Sequence, residues 1–158
     1  MREIRFRGKR LENGHGFWVY GDLMTEYVHH EGLTIVEHGC IYYEVDPATV
    51  GQFTSLKDKH GKEIFEGDVA KSPYTNRLMV IRWGEYQNDD ILDEIDDFYI
   101  DTDGDERKSV GFYAEVMSDN RCYELDDGVC KWVEVIGNKW EDGELIDGSE
   151  AKTSKNIE

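Results

Sequence analysis

Long apolar runs are absent from this chain of 158 residues. The longest, such as Leu78 to Ile81, span only a few positions, whereas a membrane-spanning helix needs about 20. No apolar stretch follows the charged start MREIRFRGKR, so a secretory signal is not predicted either. These absences predict a cytoplasmic protein, and a chain of this length is expected to form one domain with a hydrophobic core.

Cysteine is also scarce, with three residues and no CxxC pair: Cys40, Cys122 and Cys130. An odd number of thiols without a secretory signal favours reduced side chains over a disulfide framework. We expect these cysteines to act as small, partly buried hydrophobic residues. The sequence therefore predicts neither a zinc knuckle nor a thioredoxin-type site.

Positive charge is the third shortage. The chain has 18 Lys and Arg against 35 Asp and Glu, a net charge of −17. Ten of the acids and no Lys or Arg fall within residues 89–106. Because nucleic-acid binding depends on basic groups that neutralise phosphates, broad nucleic-acid binding is not expected. Five bases among residues 2–10 are an exception, and we expect them to lie along a solvated strand edge.

Catalytic patterns are missing as well. The chain has no Gly-x-Ser-x-Gly and no Walker-type loop, so no catalytic residue and no cofactor are predicted. Asp101, Asp103 and Asp105 match the first acidic positions of an EF-hand loop. Glu106 stands where that loop needs Gly, and Phe112 stands where it needs a bidentate Glu. No metal site is predicted, and weak cation association at the three aspartates is left open.

Apolar and polar residues alternate along much of the chain. This alternation has a period of two, which is typical of β-strands. The predicted strands are Ile4–Arg7, Phe17–Tyr20, Tyr27–His30, Thr34–Glu37, Cys40–Val45, Leu78–Trp83, Val110–Val116, Arg121–Leu125 and Val129–Ile136. Asn13-Gly14 and Asp127-Gly128 predict hairpin turns. Asp46-Pro47 predicts the start of a brief helical turn that ends at Gly51. For Asp90–Phe98, a short helix and a mobile loop are equally favoured.

Two tight turns lie close together in the segment Val50–Asp68, VGQFTSLKDKHGKEIFEGD. The first contains Gly61, and the second is Glu66-Gly67-Asp68, in which we expect Gly67 to have positive φ. Two such turns before a strand resemble the diverging turn of small barrels of the Src-homology-3 (SH3) type.

Three segments together resemble the YopX family. They are Val50–Asp68, the start MREIRFRGKR…FWVYGDL, and VEVIGNKWEDGELI at Val133–Ile146. Ser55 stands where the family more often has Gly. The resemblance implies a small protein carried by phages, prophages or other mobile elements of bacteria, and no activity is established for the family in general. The resemblance also implies a set of signature residues with a structural role in turns: Gly51, Gly61, Glu66, Gly67, Asp68, Gly137 and Asn138.

We therefore predict a mainly β protein, a small antiparallel SH3-like barrel with an N-terminal β-hairpin region packed on it. Residues 1–146 form one domain, with an N-terminal part to about residue 55 and a barrel part over 56–146. The polar tail 147–158 is expected to be disordered. Gly137-Asn138 is expected to break the last strand.

The leading functional hypothesis is a non-catalytic accessory protein of a mobile element, active through contact with an unknown protein in the bacterial cytoplasm. An acidic nucleic-acid mimic that inhibits a DNA-binding protein is one alternative, and an enzyme with an unrecognised site is another. Homo-oligomerisation is left open, and no membrane partner is expected. Trp140 lies outside the main strand pattern, so it is predicted as a partner contact, whereas most aromatic residues are expected in the core.

Overall fold

The computed structural model describes residues 3–11, 16–25, 32–72, 76–87 and 108–146. Within these ranges the chain forms strands β1 Phe6–Lys9, β2 Trp18–Met24, β3 Thr34–Glu37, β4 Ile41–Glu44, β5 Gly51–Lys57, β6 Glu63–Phe65, β7 Asp68–Lys71, β8 Leu78–Gln87, β9 Lys108–Val116, β10 Cys122–Glu124 and β11 Glu134–Asn138. A 3-10 helix, Pro47–Thr49, precedes β5. A helical turn, α1, covers Asp127–Cys130, and residues 143–146 form a second helical turn.

The first sheet contains β1 to β6 in the order β4-β3-β2-β1-β5-β6, and every pairing is antiparallel. Strand β1 lies inside the sheet, because β2 pairs with one side of it and β5 with the other. The expectation of a solvated edge for this basic strand is therefore wrong. Arg7 is buried because its side chain packs against Asp68 and the rings of Trp18 and Phe65.

The second sheet has the order β10-β9-β8-β7-β11 and is also antiparallel. Strands β8 and β9 form its long central ribbon, paired from Met79↔Val116 to Gln87↔Lys108. The mainly β, antiparallel fold is thus confirmed. The barrel, however, is not closed among the described strands, because α1 separates the short β10 from β11, and β11 pairs with β7 instead.

One hydrophobic core cluster lies on one face of this second sheet. Alternate residues of the ribbon point into it, as the strand period requires. Its buried members are Ile64, Ala70, Met79, Ile81, Phe112, Ala114, Val116, Leu125, Cys130, Val133 and Val135, and Leu56 of β5 packs against them. Because Leu56 and Ile64 come from the first sheet, the core joins the two sheets.

Two predictions near the C-terminus are wrong. Asp127-Gly128 begins α1 and not a hairpin, because Asp126 caps that helical turn by accepting a hydrogen bond from the amide of Val129 at 2.7 Å. Gly137-Asn138 continues β11 and does not break it, since a register shift between Val135 and Gly137 restores the pairing with β7. The last strand accordingly begins at Glu134.

Other predictions have mixed outcomes. Thr34–Glu37 is a strand with the predicted bounds, and Asp46 caps the helical turn through the amide of Ala48 at 2.9 Å. Gly51 begins β5. The Asn13-Gly14 turn, the strand at 27–30, the segment 90–98 and the tail 147–158 lie outside the described residues. The division into domain parts stays a prediction.

Candidate functional site: the sheet junction and an adjacent groove

The chain passes from the first sheet to the second at Glu66-Gly67. The amide of Glu66 donates to the carbonyl of Gln52 in β5 at 2.9 Å, and the amide of Gly67 donates to the carbonyl of Ile81 in β8 at 2.8 Å. Two successive residues therefore bond to different sheets. Gly67 has φ of +81°, as predicted, a conformation that favours glycine because it has no Cβ.

A buried ion pair holds the junction from the side of the first sheet. Arg7 Nη2 lies 2.6 Å from Asp68 Oδ1 and also donates to the carbonyl of Glu66 at 3.2 Å. The other carboxylate oxygen of Asp68 accepts from the amide of Phe65 at 2.8 Å. Burial raises the pKa of Asp68, and the positive charge of Arg7 opposes that rise. Removing one partner would leave the other charge buried without compensation.

Aromatic rings enclose the same guanidinium. Its carbon lies 4.8 Å from the ring centre of Trp18, 5.0 Å from that of Phe65 and 5.7 Å from that of Trp140, distances typical of cation–π contacts. The Trp140 indole packs on Trp18 at 5.5 Å and donates to the carbonyl of Ala48 at 2.7 Å. Trp140 is therefore half-buried in contacts within the chain. Its predicted contact with a partner remains untested.

Trp140 also covers Gly67. A Cβ on Gly67 would overlap the six-membered ring of that indole, so the close approach requires glycine as much as the positive φ does. Gly51 is similarly restricted, because a Cβ there would meet the carbonyl oxygen of Glu66. The signature glycines Gly51 and Gly67 thus lie on two sides of the junction.

The segment after β11 is tied back to the first sheet through Glu141. Asn138 Nδ2 donates to Glu141 Oε2 at 3.0 Å, and Lys9 Nζ lies 3.0 Å from Glu141 Oε1. The hydrogen bond from Asn138, followed by those from Trp18 and Lys9, lowers the pKa of Glu141 to about 2. A Cβ on Gly137 would meet the carboxylate of Asp142, which accepts from the Asn138 amide at 2.9 Å. Gly137-Asn138 therefore organises this attachment.

Asp58 is a residue that the sequence analysis missed. Its carboxylate is buried and accepts from the amides of His60 at 2.8 Å, Lys62 at 2.9 Å and Val135 at 3.0 Å. Burial would raise its pKa, but the backbone amides outweigh burial and lower it. An Asp three residues before the positive-φ Gly61 is a recognisable turn pattern. The bond to Val135 joins this turn to the second sheet, and nothing in the local sequence indicates it.

A groove of about 530 Å³ opens beside the ribbon. Its lining residues come from β5, β8, β9 and the end of β10, and they are Thr54, Leu56, Trp83, Tyr86, Ser109, Val110, Gly111, Phe112, Glu124 and Leu125. The Trp83 ring contacts Phe112 edge to face at 4.7 Å, yet the Trp83 side chain is exposed. Trp83, which lies in the main strand pattern, is therefore an exposed tryptophan, and so is Trp132.

The described ranges contain the three cysteines, and all three are free thiols. No group of three or more His, Cys, Asp or Glu side chains there could hold a metal ion. Asp101, Asp103 and Asp105 lie outside those ranges. Burial, followed by the charges of Asp126 and Asp127, raises the pKa of Cys130 to about 12, so this thiol stays protonated at neutral pH. No helix in the described part of the chain is long and apolar enough to cross a membrane.

Comparison with known proteins gives one clear result. The family model described as YopX protein matches residues 21–147, well over half of the chain. The chain therefore belongs to the YopX family. No match is found among curated proteins. Most of the junction lies within the matched range, but Arg7, Lys9 and Trp18 lie before it.

Proposed function

We propose that this protein is an accessory factor of a bacterial phage or other mobile element and that it acts by binding another protein, without catalysis. The resemblance to the YopX family supports the biological setting, because that resemblance implies a protein carried by such elements. The groove beside the ribbon supports the mode of action. The residues Arg7 and Asp68 of the junction, by contrast, are engaged in contacts that hold the sheets together.

The exposed apolar face of the ribbon carries this proposal. Trp83 and Val110 lie on the same face as the core residues Ile81 and Phe112, because side chains at every second strand position share a face. Toward the far end of the ribbon that face loses its cover, so Trp83 is 48% exposed and Val110 is 71% exposed. Contiguous exposed apolar surface beside a groove is typical of protein-binding sites, and Trp is enriched among the residues that dominate binding energy.

Catalysis has weaker support at this groove. Tyr86 and Glu124 are the titratable residues in its lining. Burial, followed by the negative charge of Glu124, raises the pKa of Tyr86, so the phenol holds its proton at neutral pH. A general acid or base works best with a pKa near the operating pH. We therefore do not propose an enzyme.

The nucleic-acid mimic is retained as a second candidate because of the charge of the chain. Ten acids without a base in residues 89–106 would suit the basic DNA-binding groove of a target protein. Such binding depends on charge and weakens sharply as salt screens it. Contacts made by Trp83 and Val110 depend mainly on apolar burial, which salt does not screen.

The experiment purifies the tagged protein from host cells at about 0.1 M and at several-fold higher NaCl, and then rebuilds the complex from purified components. We expect one partner that stays bound at the higher salt, with reduced affinity. A partner that is lost completely at the higher salt would favour the mimic. Absence of any stoichiometric partner would contradict both functions.

A further inference from the structure

The groove has apolar lining residues and negative charge nearby, and together they indicate the chemistry of its occupant. Resting on the proposed function, we propose that it binds an apolar side chain presented by a basic segment of the partner protein, with Trp83 and Val110 as the main contacts. The volume of about 530 Å³ lies within the 300–1,000 Å³ of typical ligand pockets. Thr54 and Leu56 of β5 line it together with the ribbon.

Charge near the groove is predominantly negative. Glu124 is the one charged residue in its lining, and the exposed Asp126 and Asp127 follow the lining residue Leu125. On the ribbon, Glu85 pairs in register with Val110 and forms an ion pair with Lys108 at 3.0 Å, so these two charges offset each other. A basic partner segment is therefore attracted and an acidic one repelled.

The connection between β8 and β9 strengthens this bias. Because the chain is continuous, residues 88 and 107 adjoin the ends of the ribbon strands at Gln87 and Lys108. Residues 89–106 belong to this connection and contain ten acids and no Lys or Arg, and Arg107 follows them in the sequence. Charge of this kind accelerates association with a positively charged partner, and the effect falls with ionic strength.

The same charge argues against two other occupants. A second copy of this chain carries a net charge of −17, so close approach of two copies is opposed by repulsion. The chain's own segment 89–106 is equally unsuited to a groove that contains Glu124, because its ten acids have no compensating base. A basic segment from another protein is the complementary occupant.

The probe is a synthetic peptide of roughly twelve residues that alternates Arg and Ser around two central leucines. Binding is followed by the indole N–H signals of the four tryptophans in a ¹⁵N-correlated NMR spectrum. The Trp83→Phe variant assigns the Trp83 signal. Trp132, which is also exposed but does not line the groove, serves as the internal control. We expect a saturable shift at Trp83 and no comparable shift at Trp132.

Two control peptides separate the apolar and charged contributions. One replaces the leucines with Ser, and the other replaces the arginines with Glu. Each should bind at least about tenfold more weakly than the probe, because apolar and charged contacts both contribute. Equal binding of the leucine-free peptide would overturn the apolar anchor. Equal binding of the acidic peptide would overturn the preference for a basic segment.

Matched variants test the location. Val110→Arg adds positive charge at the groove and should lower the probe affinity at least about tenfold. Ile41→Arg adds the same charge at an exposed strand position of the first sheet and should leave the affinity within about twofold. Both positions are exposed, so neither change is expected to unfold the protein. If Val110→Arg and Ile41→Arg change the probe affinity equally, the assignment of the binding site to the groove is overturned. The absence of a shift of the Trp83 signal on addition of the probe would overturn it as well.

Other occupants give distinct signals without peptide. A Trp83 signal that changes on dilution would indicate that a second copy of the chain occupies the groove. A Trp83 signal that changes when residues 89–106 are replaced with a Gly-Ser linker would indicate that this segment occupies it. Either result overturns the proposal. If the purified partner binds wild type and Val110→Arg equally, the groove inference fails and the proposed function stands. If no partner is found, the proposed function fails whatever the peptide does.

Discussion

Replacing Gly67 with Ala tests whether the junction needs glycine for two separate reasons. The first is the backbone, because a residue with a Cβ at φ of +81° costs about 1–2 kcal/mol. The second is space, because the new methyl group would overlap the Trp140 ring. Gly61 is a matched control, since its φ of +80° is nearly the same and nothing lies within 4 Å of a Cβ built there.

The expected magnitudes follow from these contacts. Lower entropy of the unfolded chain returns about 0.4–1 kcal/mol, so Gly61→Ala should cost about 1 kcal/mol. In Gly67→Ala the displaced indole also loses its hydrogen bond to Ala48, worth about 1 kcal/mol, and its packing on Trp18, worth about 0.5–1.5 kcal/mol. We expect a total loss of about 3 kcal/mol for Gly67→Ala.

Urea unfolding followed by tryptophan fluorescence measures both free energies, provided that the denaturant slope is unchanged. A double variant, Gly67→Ala with Trp140→Ala, should lose less than the sum of the single losses, because the overlap is absent once the ring is removed. Equal losses for Gly61→Ala and Gly67→Ala would refute the role assigned to Trp140. A neutral Gly67→Ala would refute both reasons.

Three further predictions concern other positions. Ser55 has φ of +70°, a conformation that favours glycine, so Ser55→Gly should unfold at a urea concentration no lower than wild type. Ser55→Val should be less stable than Ser55→Gly by about 2 kcal/mol. Equal stabilities of the two variants would contradict this backbone argument. Asp58→Ala should lower the free energy of unfolding by about 2–3 kcal/mol in the same assay, because three backbone amides lose their acceptor. Asp58→Asn should lower it less. A loss below about 0.5 kcal/mol for Asp58→Ala would show that water replaces the carboxylate. The folded pKa of Glu141, about 2, lies below its ordinary value of 4.5, so its contribution is present above that value and is lost as pH falls toward 2. Since the Glu141 side chain is 41% exposed, its contribution to stability is about 1 kcal/mol. Urea unfolding across pH should therefore show that Glu141→Gln loses less stability on acidification than wild type. An equal loss in both proteins would contradict this role of Glu141.

Local patterns predicted much of the fold. Alternation identified β3 and the ribbon, and the Asp46 cap and the positive φ of Gly67 followed from residue types whose conformational preferences are strong. The ribbon is longer than predicted because Glu85 and Lys108 continue the pairing with polar side chains, which apolar alternation does not detect. Local patterning therefore indicates where strands form better than where they end.

Pairing between distant segments could not be predicted in this way. Whether β1 is an edge strand depends on β5 arriving beside it, and its basic residues alone indicated solvent. Buried Arg7 is stabilised by Asp68, 61 positions further along the chain, a partner that no local period specifies. The groove likewise depends on where the cover of the core ends, so Trp83 looked like an ordinary core residue in the sequence.

The affinity of the purified partner for three matched variants tests the central claim most directly. Trp83→Ala should weaken binding at least about tenfold, whereas Trp132→Ala and a variant with the acids of residues 89–106 changed to Asn and Gln should each keep measurable binding. Calorimetric titration at about 0.1 M NaCl gives the three dissociation constants, and circular dichroism checks that each variant is folded. Unchanged affinity for Trp83→Ala, with complete loss for the neutralised variant, would contradict the account and establish charge mimicry instead.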